Sequence, residues 1–119
     1  TLRTLGDNSF ANCTRLKNVT FREGSQLEII GTLCFSNNAI ENVQIPNRVV
    51  AINGMAFCEC TNLRRISFQD GSKLQRISTS CFENSGLEEF VAPSGLKKIE
   101  GRIFYDCKNL KQVMFEEES

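Results

Sequence analysis

Six cysteines and one pair of adjacent carboxylates are the side chains best equipped for chemistry in this 119-residue chain. Cys13, Cys60 and Cys107 lie 47 residues apart, as do Cys34 and Cys81, and Cys58 stands two residues before Cys60. Cysteine can close disulfides, bind metals or attack as a thiolate. Cys58-Glu59-Cys60 has the tightest metal-like or redox-like spacing, but no further ligand lies close to it in the sequence. The chain has no His. That removes the Ser-His-Asp and Cys-His nucleophile schemes and the His-containing zinc sites. Glu88 and Glu89 could serve as an acid and a base, yet adjacent carboxylates on an exposed strand stay solvated and ionised. The chemistry-bearing residues therefore argue against an enzyme, and no metal, cofactor or disulfide is expected.

Composition narrows the partners. Fourteen Lys+Arg balance fourteen Asp+Glu, for a formal net charge of zero. Nucleic acid needs a basic face, and a polybasic membrane anchor needs the same excess. No apolar run approaches the ~20 residues of a membrane span. A hydrophobic content of 40% with 24% charged residues suits a folded domain rather than a disordered tail. The length suits one domain. The chain opens at Thr1 without a signal-peptide pattern, so a mature product or a fragment is expected.

The cysteine spacing belongs to a larger period. Phe10, Phe35, Phe57, Phe82 and Phe104 lie 25, 22, 25 and 22 residues apart. Five residues before each sits Leu5, Ile30, Ile52, Ile77 or Ile99, and three before those Leu2, Leu27, Val49, Leu74 or Leu96. After each Phe come Leu16, Ile40, Leu63, Leu87 or Leu110, then Val19, Val43, Ile66, Phe90 or Val113, then Phe21, Ile45, Phe68, Ala92 or Phe115. The units run 2–26, 27–48, 49–73, 74–95 and 96–119. Long units end in Arg22-Glu23-Gly24-Ser25 and Gln69-Asp70-Gly71-Ser72. Short units end in Ile45-Pro46-Asn47 and Ala92-Pro93-Ser94. No unit can bury its own apolar set, but a stack of five can. The period-two end of each unit, as in Ile66-Ser67-Phe68, predicts a strand, and equivalent strands then form a parallel sheet. The segment Leu74-x-x-Ile77-x-x-x-x-Phe82 predicts a short strand followed by a helical turn on the opposite wall.

The blocks Ile52-x-x-x-Ala56-Phe57-x-x-Cys60-x-x-Leu63-x-x-Ile66 and Ile77-x-x-x-Cys81-Phe82, with the Ile45-Pro46 turn, resemble BspA-like leucine-rich repeats across essentially the whole chain. That resemblance implies an α/β, strand-rich solenoid: a right-handed leucine-rich-repeat superhelix of five repeats, alternately 25 and 22 residues, with its parallel sheet on the concave face. Such proteins are numerous on the surfaces of anaerobic bacteria and of protists such as Trichomonas, where they are regarded as adhesins or interaction proteins.

Stacking also decides the cysteines. Equivalent positions two units apart are separated by ~9–10 Å, whereas a disulfide needs Cα atoms within ~7 Å. Same-column pairs cannot close, so free, buried thiols are expected. The column read backwards from the strand is Cys13, Asn37, Cys60, Asn84, Cys107, and Cys58 is expected to be the most exposed and reactive thiol. The acidic run Glu116-Glu117-Glu118 is expected to be solvated or to begin a sixth turn, and neither end has a polar cap, so a longer parent protein is expected. Asn12-Cys13-Thr14 and Asn18-Val19-Thr20 are glycosylation sequons that matter only in a secreted eukaryotic protein.

Outward strand positions form three rows. The first is Lys17, Glu41, Arg64, Glu88, Lys111, which alternates in sign. The second is Asn18, Asn42, Arg65, Glu89, Gln112, and the third is Thr20, Gln44, Ser67, Val91, Met114. Alternating charges on neighbouring strands can pair, contributing ~0.2–1 kcal/mol each. They can also meet a partner, with Arg64 and Arg65 as anchors. The expected function is a non-enzymatic protein–protein interaction module of a cell-surface or secreted adhesin. The alternative is an intracellular scaffold on the same solenoid. The partner is expected to be a protein, not nucleic acid, with no membrane insertion by this segment.

Overall fold

The computed structural model describes residues 2–117, so Glu118 of the acidic run lies outside the described residues. Nine short strands follow one another: β1 (Thr4–Leu5), β2 (Ile29–Ile30), β3 (Asn42–Ile45), β4 (Ala51–Ile52), β5 (Arg65–Phe68), β6 (Arg76–Ile77), β7 (Glu89–Ala92), β8 (Lys98–Ile99) and β9 (Gln112–Phe115). The chain coils as a β-solenoid of about five turns. One wall carries the two-residue strands as a continuous parallel sheet in the order β1-β2-β4-β6-β8. Its register sets Thr4, Ile29, Ala51, Arg76 and Lys98 side by side. The other wall carries the four-residue strands, and its sheet is interrupted: β3 pairs with β5 and β7 with β9, both parallel.

No helix occurs among the described residues, which corrects the α/β expectation and the helical turn placed around each Phe. Backbone hand is the reason. The residues two before and two after each Phe have positive φ: Asn8 and Asn12, Leu33 and Asn37, Met55 and Glu59, Ser80 and Asn84, Arg102 and Asp106. A right-handed helix cannot contain such residues. The reversals turn every second N–H toward the next coil, where a helix would tie it within its own. Leu33, Phe35 and Asn37 thus donate to the carbonyls of Gly54, Ala56 and Cys58 at 3.0, 2.8 and 2.9 Å. The bonds from Met55, Phe57 and Glu59 to Thr79, Cys81 and Glu83 repeat the pattern one coil on. Between reversals, tight turns close within the coil, as from Cys58 N–H to Met55 carbonyl at 3.2 Å.

The core fills the space between the walls. The anchor phenylalanines stack face to face along it, with ring centroids 5.4, 5.3, 5.8 and 6.1 Å apart from Phe10 through Phe35, Phe57 and Phe82 to Phe104. Phe35, Phe57 and Phe82 are buried, as are Ile30, Ile52 and Ile77 of the short strands and Ile40, Leu63 and Leu87 before the long ones. Apolar residues of the outermost coils stay open: Leu2 is 63% exposed and Phe115 70%.

The polar column beside the core differs from its sequence reading. Asn37 and Asn84 are not its members; they occupy the positive-φ column with Asn12, Glu59 and Asp106. The buried partners are Asn38 and Ser85, because short units lose one residue between this column and the strand. Cys60 Sγ donates to Phe35 carbonyl at 3.1 Å and lies 3.8 Å from Asn38 Oδ1. Cys107 Sγ donates to Phe82 carbonyl at 3.0 Å and sits 3.5 Å from Ser85 Oγ. Asn38 Nδ2 donates to the same Phe35 carbonyl at 2.6 Å. Every thiol is free.

Candidate interaction surface

The four-residue strands alternate inward and outward, as a period of two requires. In β3, Val43 and Ile45 are buried while Asn42 and Gln44 are exposed. The rest of the three rows follows suit: Lys17, Asn18, Thr20, Glu41, Arg64, Arg65, Ser67, Val91, Lys111, Gln112 and Met114 are exposed, and Glu88 and Glu89 are half-buried. The second and third rows thus lie on the outward side of the long strands, and the first row stands at exposed or half-buried positions immediately before them.

The pairing within that face departs from the expectation for the first row. None of Lys17, Glu41, Arg64, Glu88 or Lys111 forms an ion pair within 4.0 Å among the described residues; the cross-strand pair is Arg65–Glu89 of the second row, at 3.2 Å. Arg64 instead turns Nη1 onto Thr61 carbonyl at 3.3 Å. It lies beside Gly86, whose missing Cβ leaves that space open. The first row is tied together through its backbone. Amides of Glu41, Arg64, Glu88 and Lys111 donate to carbonyls of Lys17, Glu41, Arg64 and Glu88 at 3.3, 2.9, 3.2 and 2.9 Å. Its side-chain charges are left to solvent, or to a partner. Glu89 pairs with Arg65, whereas its neighbour Glu88 forms no ion pair among the described residues.

At the far end of the strands the ladder is broken at every second step. Gln69 N–H donates to Ile45 carbonyl at 3.0 Å, and Glu116 N–H to Ala92 carbonyl at 2.8 Å. The residues at the same point of the intervening coils are Pro46 and Pro93, which follow the register mates of Phe68 and Phe115. Proline has no N–H to donate. The coils held together at Lys17–Glu41 and Arg64–Glu88 therefore splay toward the prolines, and a cleft opens at each splay. One has a volume of about 390 Å³ and runs between Asn18–Glu23 and β3. The other, about 250 Å³, runs between β5 and β7. Every residue lining the second cleft is the counterpart, 47 residues on, of one lining the first: Arg65 for Asn18, Phe68 for Phe21, Glu89 for Asn42, Pro93 for Pro46, Glu116 for Gln69. The proline turns were visible in the sequence; that they open the sheet was not, because that depends on which carbonyl the missing amide would have met.

Burial sets the character of the thiols. It pushes Cys34 up to about 11 and Cys60 up to about 12, and it raises Cys81, which is fully enclosed. Cys58 is only half-buried, but burial first and the carboxylates of Glu59 and Glu83 next raise it too. The exposed thiol is Cys13, in the first coil, which corrects the choice of Cys58 as the most exposed and reactive. Among the described residues no group of three or more His, Cys, Asp or Glu side chains could hold a metal ion.

Known proteins share this architecture. The family model described as "BspA type Leucine rich repeat region" matches residues 1–111, in six copies. The crystal structure of the pneumococcal vaccine antigen PcpA superposes with a TM-score of 0.94 at 29% identity, over 98% of this chain and 29% of that one. A leucine-rich cell surface protein of Faecalibacterium prausnitzii superposes with a TM-score of 0.70 at 23% identity, over 99% of this chain and 38% of that one, and shows the fold alone. The chain thus spans about a third of the length of each. No curated protein sequence matches it.

Proposed function

Because the chain belongs to the BspA-type leucine-rich repeat family, we propose that it is a non-enzymatic protein-binding segment of a cell-surface adhesin, displaying the face of its four-residue strands as a concave recognition surface. In this reading the coils form a right-handed superhelix of alternating 25- and 22-residue repeats. The observation that carries it is the first row. Five charged side chains, from Lys17 to Lys111, stand at equivalent exposed or half-buried positions of successive coils without an ion pair among the described residues. A backbone ladder fixes their spacing. Charges spent on stability would be paired; unpaired charges on a backbone of fixed spacing stay open to a partner, which orders their side chains when it binds. Their alternating sign gives no broad field, so the partner is a mixed polar protein surface rather than a polyanion. Arg64 and Arg65 are its central anchors. The pneumococcal vaccine antigen, at 29% identity, supports an outward-facing location.

The double reversal Arg64→Glu, Arg65→Glu tests this. Capture of the partner from host-cell extract should weaken by about tenfold or more, as expected when charge-assisted contacts become repulsive. Circular dichroism should stay unchanged and the melting midpoint should fall only slightly, since both side chains are exposed but the reversal breaks the Arg65–Glu89 pair and sets like charges on neighbouring strands. Unchanged capture would refute the face as the binding site.

The six free thiols favour a second reading, an intracellular scaffold, because reducing compartments keep cysteines unpaired. An antibody to this segment separates the two. Staining of intact source cells supports the adhesin, and staining after permeabilisation alone supports the scaffold.

A further inference from the structure

Asn53-Gly54 is the one place in the chain where glycine follows asparagine. It forms the corner after β4, in the central coil, with both residues half-buried and Met55 beside them exposed. The amides on either side are held by neighbouring coils. Asn53 N–H donates to Ile30 carbonyl at 2.9 Å and Met55 N–H to Thr79 carbonyl at 3.0 Å. The Gly54 N–H between them meets no acceptor among the described residues. At the same point of the two adjoining coils that N–H is taken: Thr32 donates to Asp7 Oδ1 at 2.9 Å and Thr79 to Glu100 Oε1 at 3.3 Å. The Asn53 side chain is also unbonded among the described residues, and since no buried side-chain amide lacks a partner, it reaches water. Other asparagines differ. Ser9, Leu63, Ser85 and Leu110, which follow Asn8, Asn62, Asn84 and Asn109, donate their N–H within their own turns at 3.2, 3.0, 3.1 and 3.2 Å. Every other asparagine is followed by a residue with a side chain.

We propose that Asn53-Gly54 is a site of spontaneous deamidation in the folded chain, with water as the co-reactant. Hydroxide takes the proton of the free Gly54 amide, and the nitrogen, with no Cβ beside it to obstruct approach, attacks Asn53 Cγ. The new C–N bond closes a five-membered succinimide. The bond from Cγ to Nδ2 breaks, and that nitrogen leaves as ammonia with a proton from water. Water then adds to one of the two ring carbonyls. Opening at Cγ gives aspartate, and opening at the main-chain carbonyl gives isoaspartate. Either product adds one negative charge to a chain of net charge zero. Isoaspartate also routes the main chain through Cβ and Cγ. That adds one backbone carbon between two amides that neighbouring coils hold in place. One of those bonds must give way, so the isoaspartyl form loosens the coil that carries Arg64 and Arg65, whatever those residues bind.

The native chain, aged at mildly alkaline pH with reductant present, tests this by peptide mapping and enzymatic methylation of isoaspartyl groups. The Asn53 peptide should show the amide-to-acid mass shift before any other asparagine, at a rate proportional to hydroxide. Gly54→Ala should slow it about tenfold or more, the effect of raising the barrier by only ~1.4 kcal/mol. The added Cβ would stand 3.4 Å from Thr79 carbonyl, an ordinary contact, and circular dichroism confirms the fold. Hydrogen exchange should be far faster at Gly54 than at Asn53 or Met55; a protected Gly54 would remove the free amide on which the proposal stands. Urea below the unfolding transition should leave the rate nearly unchanged. A rate that climbs in step with the unfolded fraction would assign the reaction to the unfolded chain and overturn the proposal, as would conversion no faster than at other asparagines. The isoaspartyl fraction, separated by ion exchange, should melt below both the parent and Asn53→Asp. Equal melting would overturn the loss of an inter-coil bond.

Discussion

Burial holds the core thiols in their neutral form, and this ties the stability of the molecule to alkaline pH. Cys34 and Cys60 ionise near 11 and 12 in the folded chain against 9.0 for an unperturbed thiol, and Cys81 is raised as well. For an acid whose folded value is raised, the stabilising difference is fully present below the unfolded value. It is lost as pH climbs from there through the folded value, because the unfolded chain gains the charged thiolate first. Each such thiol costs about 1.4 kcal/mol of stability per pH unit in that window. Urea midpoints should therefore fall between pH 9 and 11. The test is differential, against a chain that lacks one thiol. Cys60→Ala should be less stable than the parent at pH 7, having lost packing and its bond to the Phe35 carbonyl, yet should decline less steeply above pH 9. Parallel declines would show that Cys60 does not contribute.

The turn around each Phe is where local preference and coil geometry meet. The column two residues after the Phe is Asn12, Asn37, Glu59, Asn84, Asp106, all at φ between 52 and 61°. Asn and Asp tolerate that region, and Glu does so less well. Glu59 is exposed, so Glu59→Asn should remove strain without disturbing packing and raise stability by about 0.5–1 kcal/mol. A thermal melt reads this directly, and an unchanged or lowered midpoint would show that the strain is already relieved. This column also marks what the sequence made legible. The Phe anchors, the apolar spacings and the period-two strand ends implied a stack of parallel strands, because burial leaves a periodic trace in residue type. The outward rows were legible for the same reason. The helical turn was a misreading: Asn at two positions four residues apart was a signal of left-handed backbone, but the remaining members of those columns include Leu33, Met55 and Ser80, which carry no such mark. The clefts were illegible, since a proline reads as a strand end until the carbonyl it fails to meet is known.

A stack with contacts only between neighbouring coils behaves as a one-dimensional array, in which opening a terminal coil breaks one interface and opening an inner coil breaks two. Four amides compare the coils at one equivalent position. Gly31, Asn53, Ser78 and Glu100 each donate to the strand carbonyl of the preceding coil, those of Leu5, Ile30, Ile52 and Ile77, at 2.9, 2.9, 3.0 and 3.1 Å. The bonds match, so differences in hydrogen-exchange protection report position in the stack rather than bond geometry. Ile30, Ile52 and Ile77 are fully buried, while Leu5 is half-buried and Ile99 is 41% exposed. Protection should therefore be greatest at Asn53 and Ser78, which lie between covered coils, and smaller at Gly31 and Glu100, whose bonds are lost when a terminal coil opens. The continuous Phe stack and the unbroken five-stranded wall argue the other way, since each couples all five coils. Equal protection at the four amides would mean that this coupling wins and the stack opens as one unit. A gradient falling toward both ends would mean that the interrupted strand face sets the cooperativity, leaving the central coils, which carry Arg64 and Arg65, as the most rigid part of the proposed binding surface.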